Sequence, residues 1–121
     1  MNKEAATKYI RNRLTNLVEQ GTKSEKDFAE RVTQGGVAFA LNWFDAFLKD
    51  STKGRVAANA LELLDKGVDL LEVGQLHATE VQNELSYAVL DTSQMQIVGR
   101  VAKMQAMEVI AREIAAFDNL N

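Results

Sequence analysis

Apolar residues recur every three to four positions along most of the chain, the spacing that places them on one face of an α-helix. In a first helix, predicted over residues 3–20, Ile10, Leu14 and Leu17 share such a face. The same pattern predicts further helices over residues 24–34, 53–66, 75–90 and 93–117. The periodicity therefore predicts an all-α protein.

The most apolar stretch, residues 36–49, lies near the middle of the chain. It contains Trp43, the only tryptophan, and between residues 37 and 48 its only polar side chains are Asn42 and Asp45. A helix that is apolar on every side is normally buried, and this one is shorter than the roughly 20 residues that span a bilayer. We therefore predict a helical bundle of five to six helices around a central apolar helix at about residues 36–49, in a single domain of residues 1–121.

Glycines and capping residues divide the pattern into helices. Gly21 and Gly74 are predicted helix ends, because glycine is unfavourable inside helices. The pair Gly35 and Gly36 either kinks one long helix or ends it, and we favour a break there. Gly67 leaves two alternatives open, a helix end or a bend. Predicted N-caps are Asn2, Ser24, the run at residues 50–52, Asp69 and Ser93, the last forming a capping box with Gln96.

Two of the predicted helices carry long apolar stripes that we expect to face the core. On the helix over residues 75–90 the stripe comprises Ala78, Val81, Leu85 and Ala88 or Val89. On the last helix it comprises Ile97, Val101, Met104, Met107, Ile110, Ile114 and Phe117.

The chain has neither cysteine nor proline. The missing cysteine excludes disulfides, thiolate metal sites and a cysteine nucleophile, and it fits a reducing compartment. The amino-terminal residues are polar and lack the apolar core of a signal peptide. We therefore expect a cytoplasmic protein without a membrane segment.

Charge is unevenly divided along the sequence. Residues 1–55 carry ten Lys or Arg against seven Asp or Glu, a balance of +3, whereas residues 56–121 carry four against ten, a balance of −6, which together make the net −3. The basic half has two alternative uses: binding an acidic partner, or facing the acidic half of its own fold, which we favour.

Catalytic motifs are missing from the sequence. His77, the only histidine, shares a helix face with Glu80 and Glu84, an array that has the donor types of a metal site. Carboxylate-bridged bundle sites, however, need two histidines, so surface ion pairing is the favoured interpretation of these three residues. Phosphate-binding glycine loops and the G-x-S-x-G nucleophile motif are also missing. We therefore expect no enzymatic activity and no cofactor.

One segment suggests nucleic acid. Residues 24–32, Ser-Glu-Lys-Asp-Phe-Ala-Glu-Arg-Val, resemble the first helix of helix-turn-helix proteins, with Ala29 at the small packed position. The resemblance implies that a recognition helix follows, but residues 37–41 are apolar and offer no side chains that read bases. A weaker alternative is a regulator that contacts phosphates through basic residues of the amino-terminal half: Lys8, Arg11, Arg13, Lys23, Lys26 and Arg31.

The favoured hypothesis is association with another protein. The predicted helices carry more apolar surface than one central helix can cover, and such a surplus is typical of partner or self-association sites. Met95, Met104 and Met107 on the last helix would form an adaptable partner surface. We expect a small non-enzymatic adaptor, inhibitor or accessory regulator that binds an unidentified protein partner and forms a homo-oligomer, most simply a homodimer.

Overall fold

The computed structural model describes residues 2–117 of the chain. This part comprises four α-helices and one short 3₁₀ turn: α1 (Lys3–Ala40), the turn (Leu41–Trp43), α2 (Phe44–Asp65), α3 (Leu70–Ala88) and α4 (Gln94–Ala115). Between residues 2 and 117 there is no strand. The all-α prediction is confirmed, and the predicted number of five to six helices is wrong because several predicted boundaries lie inside longer helices.

The four helices form two hairpins, α1 with α2 and α3 with α4, which pack on each other mainly through α2 and α4. One apolar core joins them, and every helix contributes to it. Its largest fully buried side chains are Ile10, Leu14, Leu70, Val73, Ile110 and Ile114.

Gly21 lies inside α1, and the helix end predicted there is wrong. It is buried where α1 crosses α2. A Cβ atom at this position would come within 3.0 Å of the carbonyl oxygen of Asp50 and 3.1 Å of the Cα atom of Gly54. The glycine therefore permits two helix backbones to approach closely, and this packing outweighs its unfavourable helix propensity.

The cap predicted at residues 50–52 lies inside α2. Ser51 is buried, and its hydroxyl donates a hydrogen bond of 2.6 Å to the Glu25 carboxylate on α1. A residue type that suits an N-cap is used here as a polar contact between helices.

Gly74 is likewise inside a helix, not at its end. A Cβ atom at Gly74 would lie 2.7 Å from Cγ2 of Ile114 on α4. The missing side chain therefore sets the spacing between α3 and α4.

Two other glycines do interrupt helices, and both have positive φ angles. Gly36 has φ 82° and breaks the helical geometry inside α1, which confirms the predicted break. Gly67 has φ 87° and follows the end of α2. There the Gly67 N–H donates to the Leu64 carbonyl and the Val68 N–H to the Leu63 carbonyl, a Schellman motif. Of the two alternatives for Gly67, the helix end is therefore the one adopted.

Three predicted N-caps are confirmed. The Asn2 side chain accepts a hydrogen bond from the Ala5 N–H, and the Asp69 side chain accepts one from the Leu71 N–H. Ser93 forms the predicted capping box at the start of α4. These signals are local in sequence, which explains why they could be predicted.

The prediction of a buried central helix at residues 36–49 is wrong. This stretch is divided among the end of α1, the 3₁₀ turn and the start of α2, so it forms the bend of the first hairpin. Val37 is 65% exposed and Phe39 45% exposed. The physical reason is the break at Gly36, which places the stretch at the end of a hairpin, away from the core that all four helices share.

Candidate functional site

The end of the α1–α2 hairpin, residues 28–48, contains a cluster of aromatic rings and is called here the aromatic end. Phe28 on α1 stacks on Phe47 of α2, with ring centroids 4.4 Å apart and planes 14° from parallel. Phe44 lies against both rings, 6.3 Å from Phe28 and 6.1 Å from Phe47. These contacts hold the two helices together beyond the shared core.

Trp43 continues the aromatic surface toward the bend. Its ring lies 4.7 Å from that of Phe39, and the Arg31 guanidinium lies 4.5 Å from the centre of the Trp43 ring. This cation–π contact holds Arg31, a member of the predicted basic set, against the Trp43 ring.

The bend of the aromatic end is uncharged. Residues 32–44 include no Asp, Glu, Lys or Arg. Val37, Phe39 and Leu41 are all exposed. The half-buried Trp43 and Phe47 line an adjacent open groove of about 370 Å³, whose other side is polar and includes Lys23, Asp27, Arg31 and Asp50. An exposed patch that combines aromatic and aliphatic side chains without charge is typical of protein interaction sites.

A cluster of ion pairs lies at the far end of the α3–α4 hairpin. Arg100 binds Asp91 through two hydrogen bonds of 2.8 and 3.0 Å and Glu84 through one of 2.5 Å. Lys103 donates to the second oxygen of Glu84 at 2.8 Å. The carboxylates are nearly buried, with 11% of the Glu84 side chain and 5% of the Asp91 side chain exposed.

These partners shift the pKa values of both acids. The hydrogen bond from Lys103, with its charge and that of Arg100, holds the pKa of Glu84 below its usual range despite burial. The bidentate contact with Arg100 lowers the pKa of Asp91 and raises the pKa of Arg100 itself. Both carboxylates therefore stay ionised, as paired buried charges must. Sequence reasoning missed this cluster because its members are brought together only when α3 and α4 pack.

The proposed array of His77, Glu80 and Glu84 is divided by the fold. His77 is buried and its Nδ1 lies 2.8 Å from the Val73 carbonyl oxygen. Glu80 accepts a hydrogen bond from Asn83, and Glu84 binds Arg100 and Lys103. Within residues 2–117, no three His, Asp or Glu side chains are grouped so as to hold a metal ion.

The basic residues proposed for phosphate contact are distributed along α1 with different partners. Arg11 pairs with Asp65 at 2.6 Å and Arg13 with Glu113 at 2.8 Å, which raises the pKa of Arg13. Arg31 covers Trp43. Three lysines of the set are exposed on α1: Lys8, Lys23 and Lys26.

The ion pairs of Arg11 and Arg13 join the basic half of the sequence to the acidic half. Lys3 makes a similar pair with Asp69, and its hydrogen bond lowers the pKa of that acid. Basic residues of the amino-terminal half thus form ion pairs with acidic residues of the other half of the same chain.

The three methionines of the predicted partner surface do not form one surface. Met107 is buried in the core, 8% exposed, so its assignment to a surface is corrected. Met104 is half-buried, whereas Met95 is exposed beside Arg100 and Gln96. Met104 and Met107, three residues apart, lie on adjoining sides of α4, and only the Met107 side faces the core. Met95 lies nine residues before Met104, which places it on the opposite side of the helix from Met104.

Comparison with known protein families, with curated proteins and with solved structures finds no match to this chain. Among the helices of residues 2–117, none is long and apolar enough to cross a bilayer.

Proposed function

We propose that this is a small non-enzymatic protein of the cytoplasm that acts by binding another protein, as an adaptor, inhibitor or accessory regulator, and that it also self-associates. The observation that carries the proposal is the exposed bend of the aromatic end, residues 32–44, which includes no charged residue. Exposing these side chains to water is unfavourable, and a partner that covers them recovers that free energy.

The chemistry of this surface favours an apolar protein segment as the partner. Aromatic side chains with few rotatable bonds dominate the energetically important positions of protein interfaces, and charged residues are depleted there. A nucleic acid would instead need cations that face outward. Arg11, Arg13 and Arg31, three of the six proposed cations, already contact other residues of this chain.

The non-enzymatic part of the proposal is supported by how the chemically active residues are used. His77 is buried against its own helix, and the carboxylates with lowered pKa values bind Arg100 and Lys103. These groups act as structural contacts in the helix packing.

The test is a comparison of two variants in an affinity purification from the native host. Val37→Asp/Leu41→Asp places two charges on the exposed aromatic end, whereas Leu76→Asp places one on an exposed apolar position of α3. Proteins bound by the wild type and by Leu76→Asp, identified by mass spectrometry, should be lost from the double variant. Circular dichroism should show all three proteins equally helical.

The proposal fails if the double variant retains the same bound proteins as the wild type. It also fails if neither the wild type nor Leu76→Asp retains any protein that a bare resin does not.

A further inference from the structure

The α3–α4 hairpin has a second apolar surface, which is distinct from the aromatic end. Along α3, apolar or small residues recur with alternating spacings of three and four: Leu71, Gly74, Ala78, Val81, Leu85 and Ala88. Along α4 the same alternation gives Ile97, Val101, Met104, Glu108, Ala111 and Ala115, with one polar member. This heptad spacing is the pattern by which one helix packs lengthwise on another.

Both rows lie on the same side of the hairpin, called here the heptad face. One end of this face is formed by the start of α3 and the end of α4. There an open groove is lined by Leu71, Gly74 and Ala78 of α3 and by Glu108, Ala111 and Ala115 of α4. The groove measures about 430 Å³. Because residues spaced by three and four share a helix side, the rest of each row continues this face toward the other end of the hairpin.

The other end of the heptad face, next to the loop between α3 and α4, is exposed although its sequence pattern predicts burial. Leu85, Ile97 and Val101 belong to the stripes expected to face the core, yet about half of each is exposed. Val89, beside the α3 row, is 84% exposed. Four aliphatic side chains exposed to this degree at one end of a hairpin form an apolar surface of the kind that is often functional on soluble proteins.

The heptad face is close to neutral. Its charged groups, Glu108 and Arg112, have opposite signs and are paired with each other. Glu84, Asp91, Arg100 and Lys103 line a different groove and are also paired among themselves. A neutral face meets a copy of itself without repulsion between like charges, even though the whole chain carries −3.

We infer that the heptad face binds the heptad face of a second copy of this chain. Two rows on two antiparallel helices present a surface two helices wide, and the matching surface of a second hairpin would complete a four-helix bundle around a two-fold axis. A standard interface buries about 800 Å² per partner, of which about 57% is apolar. Four exposed aliphatic side chains and the open groove between the two helices lie on this face and are available to such an interface.

This inference assigns to one face the self-association that forms part of the proposed function. It does not depend on the aromatic end, which remains exposed for a different protein.

The first test is light scattering coupled to gel filtration at micromolar concentrations. We expect the wild type to elute as a dimer and Val101→Glu as a monomer, with a dissociation constant raised roughly tenfold or more by the charge buried at the centre of the interface. Val37→Glu, a charge on the aromatic end, is the matched control and should remain a dimer. Because both positions are exposed in one copy, circular dichroism should show both variants folded.

A second test uses the absence of cysteine from the chain. Met104→Cys places a single thiol at the middle of the α4 row, and a bismaleimide should link it to its copy as a covalent dimer. Val37→Cys should give little such product.

A monomeric wild type overturns the inference, and the affinity purification described above then still decides whether the aromatic end binds a partner. A wild-type dimer that Val37→Glu dissociates and Val101→Glu does not also overturns it. In that case self-association occurs through the aromatic end instead.

Discussion

The centre of the molecule, where all four helices meet, and the aromatic end of the α1–α2 hairpin contrast in side-chain size and burial. The centre contains the shared apolar core with its fully buried alanines, and Gly21, Gly54 and Gly74 lie at close contacts within each hairpin. The aromatic end contains Trp43 and most of the phenylalanines, all of them at least partly exposed. Close helix packing therefore uses small side chains, whereas the large rings lie where the hairpin extends beyond the shared core.

The far end of the α3–α4 hairpin extends this contrast. There the two helices are joined by the ion pairs of Arg100, whereas the aromatic end is joined by stacked rings. The two hairpins thus use different chemistry to hold their helices together outside the shared core.

The largest expected effect comes from truncating the centre. Ile110→Ala removes a side chain that is 1% exposed and should lower the free energy of unfolding by about 2–5 kcal/mol. Val37→Ala removes an exposed aliphatic side chain at the aromatic end and should change the free energy of unfolding by less than about 0.5 kcal/mol. Urea denaturation followed by circular dichroism measures both. Equal losses from the two variants would show that the aromatic end is as much part of the core as the centre.

A smaller effect is expected where a glycine sets the distance between helices. In Gly74→Ala, the new methyl group would overlap Ile114, whose branched side chain is stiff. Overpacking of about 1–3 kcal/mol should exceed the gain of about 1 kcal/mol in helix propensity, so the variant is less stable in the same urea titration. A more stable variant would mean that α4 can move away from α3 without cost.

Gly99→Ala is the matched control on α4, and it should raise the free energy of unfolding, whereas Gly74→Ala lowers it. A Cβ atom at Gly99 meets no atom within 4 Å. The helix propensity of alanine should therefore stabilise the protein by up to about 1 kcal/mol. A loss of stability would contradict the open space at this position.

The last effect concerns how the free energy of unfolding depends on pH in acid. Because Glu84 and Asp91 have lowered pKa values, the folded state binds fewer protons than the unfolded state in acid. Their contribution is present above the ordinary values of about 4.3 and 3.9 and is lost as the pH falls through the lower folded values.

Arg100→Gln should weaken this dependence, so its free energy of unfolding should fall less steeply below about pH 4 than that of the wild type. Arg112→Gln makes the same change in charge at the exposed pair with Glu108 and is the control. Urea titrations between neutral pH and the acid limit measure the slopes. The assignment of the slope to Arg100 is wrong if both variants match the wild type.

The local features of the fold were predictable because their causes are local. The capping box of Ser93, the N-cap of Asp69 and the break at Gly36 depend on residues within a few positions. Gly21 and Gly74 were misinterpreted because their role depends on residues far along the chain. A pattern within one helix cannot distinguish a glycine that ends it from one that admits a neighbour.

The candidate surfaces were predictable only in part. The sequence identified the aromatic stretch and the apolar stripes of α3 and α4, but it predicted both to be buried. Met107 does face the core, whereas Val101, on the same predicted stripe, is exposed.

By itself the sequence determined the helical class, most caps and the composition of the apolar segments, because backbone propensity and residue spacing act over a few positions. Only the tertiary structure decided which apolar faces are buried, which charges pair and which glycines lie at helix contacts. Those outcomes depend on which residues, distant along the chain, are brought together when the helices pack, and spacing within one helix does not contain that information.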